Sequence, residues 1–307
     1  MVNYLVKLFH LKKSFCIILL LLAFTIGKAQ PLYKEVAQIN DSVDYYLEIA
    51  IFNKEDKKSY NKAIIYTEKA IDYAKNEKLE HKLGDCYLVL GRIYYDLNKL
   101  DNAIENFIRS INIYAKKEAN YNLAFAYYNL GKCYLESNKI ELSEIYFKKA
   151  TNIYEKLNLK DAIQLINLQK GIIQKNKKQY EAASKLFQNV INNLEIDALM
   201  DAKVEAYLLL GEIETVKGNP YKAIEFLESA LKLNASGNKN TNLQQRILKD
   251  LMQAYKSIDQ FGKSQFYAEK YIQISDSIGN FFNTSLYENA YDKIQFDKQL
   301  QTIQQLD

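Results

Sequence analysis

Along residues 81–100, HKLGDCYLVLGRIYYDLNKL, large side chains recur at Tyr87, Leu90 and Tyr94, spacings of three and four. That spacing is one stripe of an amphipathic helix, and Gly91 lies inside the stripe. The pattern returns at 121–140, where Tyr127, Leu130, Gly131 and Tyr134 stand in the same relation. Gly91, Gly131, Gly171 and Gly211 fall at intervals of 40 and are four of only ten glycines, so the interval is a structural period. Twelve residues after each comes a small side chain, Ala103, Ser143, Ala183 or Ala223, and four further on a large apolar one, Phe107, Phe147, Phe187 or Leu227. Small then large, four apart, marks the face of a second helix.

Glycine within a helix costs about 1 kcal/mol relative to alanine, so its return needs a cause. Close approach of the second helix supplies one: the missing side chain leaves room for a backbone or for a ring such as Phe107. Seven residues after three of the glycines stand Asn98, Asn138 and Gly218, residue types suited to the left-handed turn that ends a helix. Pro220 then fits the first turn of the next helix. Each period reads as a helical hairpin. Counting back 40 from Gly91 reaches Ile51, with Ala63 and Ala70 beyond; counting on 41 from Gly211 reaches Met252, with Phe261 and Ser264 beyond. Six hairpins are expected, the outer two diverged because one of their faces lacks a neighbouring repeat.

The run Tyr127, Leu130, Gly131, Tyr134, Phe147 and Ala150 resembles the tetratricopeptide repeat family, with Ser143 departing at the family's first alanine. The likeness covers about residues 42–274, at a period of 40 where the family has 34. It implies an all-α fold, a right-handed superhelical solenoid of about six hairpins followed by a C-terminal helix. It also implies a concave face lined by first helices. The family's inward positions correspond to Tyr45, Glu48 and Phe52, then Leu88, Arg92 and Tyr95, then Phe125, Tyr128 and Lys132. Rings give large contact area at low entropy cost and arginine anchors carboxylates, so these nine residues are the expected groove for a protein or peptide. Packing is the competing use for them, since 25 tyrosines must line more than one face. The family's carboxylate clamp is not carried over, because Leu88, Arg92, Tyr128 and Lys132 replace its lysine and asparagines. Cys86 and Cys133 fall where the family often has alanine, and are expected to be small buried hydrophobes.

The two ends differ from the repeats. Lys7, Lys12 and Lys13, a largely apolar run of twelve from Phe15 to Ile26, and Gly27-Lys28-Ala29 make a secretory signal over residues 1–29, cut after Ala29. The run is shorter than the roughly 20 residues a membrane span needs. A periplasmic or secreted protein is expected, with no membrane span in the mature chain. Residues 1–29 hold four lysines and no acid, which leaves 37 basic against 37 acidic residues and no general electrostatic case for nucleic acid. From Gly279 onward Ser285 and Glu288 have capping-box spacing, and Leu286, Ala290, Ile294, Leu300 and Ile303 form an apolar stripe that shifts register. Residues 30–276 are thus expected to be the repeat array and 277–307 a capping or linker helix, through which a homodimer is conceivable. The junction YAEKYIQISDSIGN and the polar helix after it resemble exported sensor proteins of Gram-negative bacteria, which implies a sensory input module as the alternative to a free-standing scaffold.

Nothing in the sequence spells catalysis. His81 is the one histidine beyond residue 29, no phosphate loop or nucleophile elbow occurs, and no cysteine pair has metal spacing. No cofactor or metal is expected. Two sequons, at Asn234 and Asn283, matter only in a glycosylating host.

Overall fold

The computed structural model describes residues 43–55, 59–116, 120–195, 199–237 and 239–276. The export signal over 1–29, the helix expected over 277–307 and the sequon at Asn283 lie outside them. The described residues form twelve helices and no strand. They divide between two compact units, residues 1–118 and 119–307.

Unit 1 holds α1 (Val43–Glu55), α2 (Tyr60–Asn76), α3 (Glu80–Asp96) and α4 (Leu100–Tyr114). Unit 2 holds α5 (Tyr121–Glu136), α6 (Ile140–Lys156), α7 (Lys160–Asn176), α8 (Tyr180–Asn193), α9 (Met200–Val216), α10 (Pro220–Ser236), α11 (Thr241–Lys256) and α12 over 261–276. From α1 to α10 each odd helix packs most extensively against the even helix that follows it, so the expected helical hairpins are present. Gly91, Gly131, Gly171 and Gly211 sit inside α3, α5, α7 and α9.

The reason for the glycines is steric. A Cβ at Gly91 would lie 2.7 Å from Phe107 Cε1, one at Gly131 2.7 Å from Phe147 Cε1, and one at Gly211 2.7 Å from Leu227 Cδ2; at Gly171 the approach of Phe187 is closer still. Each partner side chain is fully buried, 0 % exposed. Burying a ring or leucine of this size stabilises by about 1.5–3 kcal/mol, which outweighs the cost of a helical glycine.

The turns close as their residue types predict. Asn98, Asn138 and Gly218 have φ of 56°, 56° and 77°, and Lys178 takes the same place at 60°. The next amide in each case bonds the carbonyl five residues back, Lys99 to Tyr94 at 2.9 Å and Lys139 to Tyr134 at 2.8 Å, the bond that ends a helix in a Schellman motif.

Cys86 and Cys133 are free and buried. Burial, the largest cause, pushes both thiols up to about 12, so neither supplies a thiolate near neutral pH. Cys86 shares its register with Ala126 and Ala206, whereas Cys133 stands where the other hairpins have Ile93, Ile173 and Ile213. The departure at Ser143 also has a price: its hydroxyl is buried with no hydrogen-bond partner among the described residues. Ser143→Ala, which copies Ala103, Ala183 and Ala223, should raise stability by about 1 kcal/mol in urea denaturation. A loss on substitution would contradict this account of the hydroxyl.

Candidate binding face

Within each unit the first helices of successive hairpins touch. In unit 1 α1 meets α3; in unit 2 α5 meets α7, α7 meets α9, and α9 meets α11. No comparably extensive contact joins α2 to α4, or α6, α8 and α10 to one another. Helices that approach more closely lie on the inside of a bend, so the first helices line the inner face of each unit.

In unit 1 that face carries six of the nine expected groove residues. Tyr45 is half-buried and meets Tyr46 edge-on at 5.6 Å; Glu48 is exposed, and Phe52 keeps 46 % of its surface. On α3 Arg92 and Tyr95 are half-buried, while Leu88 is buried. Ion pairs tie the two helices, Lys54 to Asp96 at 2.7 Å and Lys82 to Asp44.

In unit 2 the half-buried Phe125 stacks between Tyr121 at 5.7 Å and Tyr128 at 6.2 Å. Lys132 stands over the Tyr128 ring at 6.0 Å. Tyr128 itself is buried: its ring lies 6.1 Å from Phe147 and its hydroxyl shares a hydrogen bond with Gln169 of α7. Burial first, and the charge of Glu205 second, push that hydroxyl above the ordinary tyrosine value. At Leu88 and Tyr128, three residues before the glycine, packing takes the side chain, as it does at Leu168 and Leu208. The other seven keep exposed surface on the inner faces.

A set of charges on the same face of unit 2 was missed in the sequence. Glu205 and Glu212 hold on α9 the register that Phe125 and Lys132 hold on α5, six before and one after the glycine. Glu212 pairs with Lys175 of α7 and with Arg246 of α11, the latter at 2.9 Å, and Arg246 also lies 3.6 Å from Glu205. This ladder joins three successive first helices. Extending the groove register finds all four residues, Lys175 at the position of Tyr95 and Arg246, counted from Met252, at that of Phe125 and Glu205; which of them pair is set by how the helices pack.

Asp250 ends the ladder without a direct counter-ion among the described residues. Its carboxyl is pushed up to about 6, by burial first and by the charge of Glu212 second, against the pull of Arg246, Lys249 and Lys175. Burial likewise holds Glu205 above the usual carboxylate range although Arg246 and Lys132 oppose it. For Asp250 the folded value exceeds the unfolded one, so stability is retained at low pH and lost as pH rises through about 6. Asp250→Asn should therefore stabilise by about 1–2 kcal/mol at about pH 7.5 and leave stability nearly unchanged at about pH 4. Equal effects at both pH values in urea denaturation would contradict the assignment.

Among the described residues no group of three His, Cys, Asp or Glu side chains gathers to hold a metal ion, and no helix is long and apolar enough to cross a membrane. Asn234 of the first sequon is 2 % exposed, with both ends of its amide bonded to Asn240, so it does not offer a glycan acceptor in the folded chain.

Residues 87–156 and 204–236 each match a family model described as tetratricopeptide repeat. No curated protein matches the chain in sequence. Among solved structures, the apo form of RapI aligns with a TM-score of 0.62 at 14 % identity, over 88 % of this chain and 99 % of that one. The Rap conjugation gene regulator of the plasmid pLS20, solved in complex with the Phr* peptide, aligns with a TM-score of 0.59 at 16 % identity, over 89 % and 77 % of the two chains. BtubC from P. vanneervenii aligns with a TM-score of 0.57 at 16 % identity, over 73 % and 92 %. At these identities the likeness is one of fold. The glycine register, the hairpins it builds and the two family matches agree: residues 87–156 and 204–236 are tetratricopeptide repeats, in an all-α fold of the solenoid class.

Proposed function

We propose that this protein is a non-catalytic scaffold that binds a protein or peptide on its first-helix faces. The observation that carries the reading is the direct contact between successive first helices within each unit, which gathers half-exposed rings and charges of both signs on each unit's inner face. Tetratricopeptide arrays present such linings as binding surfaces. The pLS20 Rap regulator, whose fold is similar, was solved with a peptide, and Cut9, at a TM-score of 0.60 and 15 % identity, within the Cut9–Hcn1 hetero-tetramer. Against catalysis stand two buried, protonated thiols and a single exposed histidine, His81, among the described residues.

The same reading puts the scaffold in the periplasm or outside the cell, on the strength of the secretory pattern in the sequence of residues 1–29. A second reading, a sensory input module that relays partner binding through the segment after residue 276, is favoured by the junction sequence YAEKYIQISDSIGN.

A charge reversal tests the face. Peptides selected on the wild-type chain from a random display library should lose about tenfold or more in affinity, about 1.4 kcal/mol, for Arg92→Glu or Lys132→Glu. Lys148→Glu, on the exposed side of the second helix α6, should leave them unchanged. The thermal midpoint of Arg92→Glu should stay near that of the wild type; a large fall would assign Arg92 to structure. Retained affinity in both groove variants would overturn the reading.

A further inference from the structure

The sixth hairpin breaks a rule that four others keep. Two residues before the repeat glycine stand Val89, Asn129, Gln169 and Leu209, all uncharged and all buried, at 8 %, 8 %, 8 % and 3 % exposure. This position packs a first helix against the one before it: Leu209 of α9 shares a core with Leu168 of α7. The equivalent residue in α11, counted from Met252, is Asp250, and it is only half-buried.

A carboxylate at a packing position calls for a cation, and this one has none in contact. Two of the nearby cations are already committed, Lys175 to Glu212 and Arg246 to Glu212 and Glu205, and the third, Lys249, is exposed and does not pair with Asp250. Asp250 makes no ion pair or hydrogen bond among the described residues and senses Arg246 and Lys249 of α11, Lys175 of α7 and Glu212 of α9 only from a distance. A sequence that breaks its own local rule at the lining of a binding face does so most economically for a ligand. Uncharged residues at this position are available to the chain, as the other five hairpins, with Ile49 in the first, show.

We propose that the partner seated on the first-helix face of unit 2 brings a basic side chain or an amino terminus to Asp250. The proposal rests on the binding reading above and names the chemistry of the partner at that point. An ammonium or guanidinium there restores the electrostatic stabilisation that burial removes from the carboxylate, and it does so without displacing the ladder. Binding also releases the proton that Asp250 holds at mildly acid pH, so affinity rises with pH until the carboxyl is fully ionised.

The test uses a phage-displayed library of random dodecapeptides, selected in parallel on the full chain, on Asp250→Asn and on Asp250→Lys, each checked for wild-type helicity and thermal midpoint. Peptides selected on the wild type should be enriched in Lys and Arg over the starting library and should lose about tenfold or more for Asp250→Lys. Peptides selected on Asp250→Lys should be enriched in Asp and Glu. Affinity of the wild-type peptides should fall from about pH 7.5 to about pH 5, and Asp250→Asn should flatten that dependence. Peptides that lose affinity for Lys132→Glu yet show no basic bias and bind all three Asp250 forms equally would overturn this inference and leave the binding face standing. Absence of any groove-dependent peptide from every selection would overturn both.

Discussion

Gly131→Ala should destabilise the chain by about 1–2 kcal/mol, although alanine is the better helix former by about 1 kcal/mol. The reason is local and geometric: the new methyl would lie 2.7 Å from Phe147 Cε1, and that ring is fully buried in an interior that packs as densely as a crystal. Phe147→Ala alone should cost about 3–5 kcal/mol through lost transfer energy and the cavity left behind. In the Phe147→Ala background the Gly131→Ala change should cost nothing or stabilise by up to about 1 kcal/mol, because the clash is gone and only propensity remains. The coupling in this double-mutant cycle is thus about 1–3 kcal/mol, read from urea denaturation of the four proteins. Should Phe147→Ala fail to fold, Phe147→Leu, which copies the Gly211–Leu227 pair, offers a milder second arm. Additive effects would mean that the glycine is retained for something other than its partner's ring.

The second large effect is expected at Asn234. Its amide donates to the Asn240 carbonyl at 3.2 Å and accepts from the Asn240 N–H at 3.0 Å, which clamps the connection between α10 and α11. Asn240 in turn caps α11 through the Leu243 amide at 3.2 Å and donates to Asp201 of α9 at 2.8 Å. Asn234→Ala leaves the amide of Asn240 without its acceptor and loosens the cap, while the Asn240 carbonyl keeps the Gln244 amide at 2.9 Å, so it should cost about 1–2 kcal/mol. Asn234→Asp keeps the acceptor but loses the donor, and should fall between. A cost below about 0.5 kcal/mol for the alanine variant would show that water replaces both bonds.

What sequence revealed and what it hid follow from the range of each interaction. The glycine period, the large residue sixteen positions on and the asparagine turns are set by contacts within one hairpin, and periodicity records them directly. Leu88 and Tyr128 looked like groove residues because register gives the side of a helix they occupy. It does not give how deeply packing buries them; Tyr128 is buried against Phe147 and Gln169. The Lys175–Glu212–Arg246–Glu205 ladder was invisible for a related reason. Register puts its members on the inward side, but its ion pairs join residues 34 to 41 positions apart, and only the packing of successive hairpins decides which of them meet. Asp250 became conspicuous only when its four register equivalents were seen to be buried.

The binding claim is tested most directly by amide hydrogen exchange of the wild-type chain with and without its tightest library-selected peptide. A partner on the inner face should slow exchange in first helices, in α1 and α3 or in α5, α7, α9 and α11, and leave the outer second helices α4, α6, α8 and α10 unchanged. Protection confined to second helices would contradict the account.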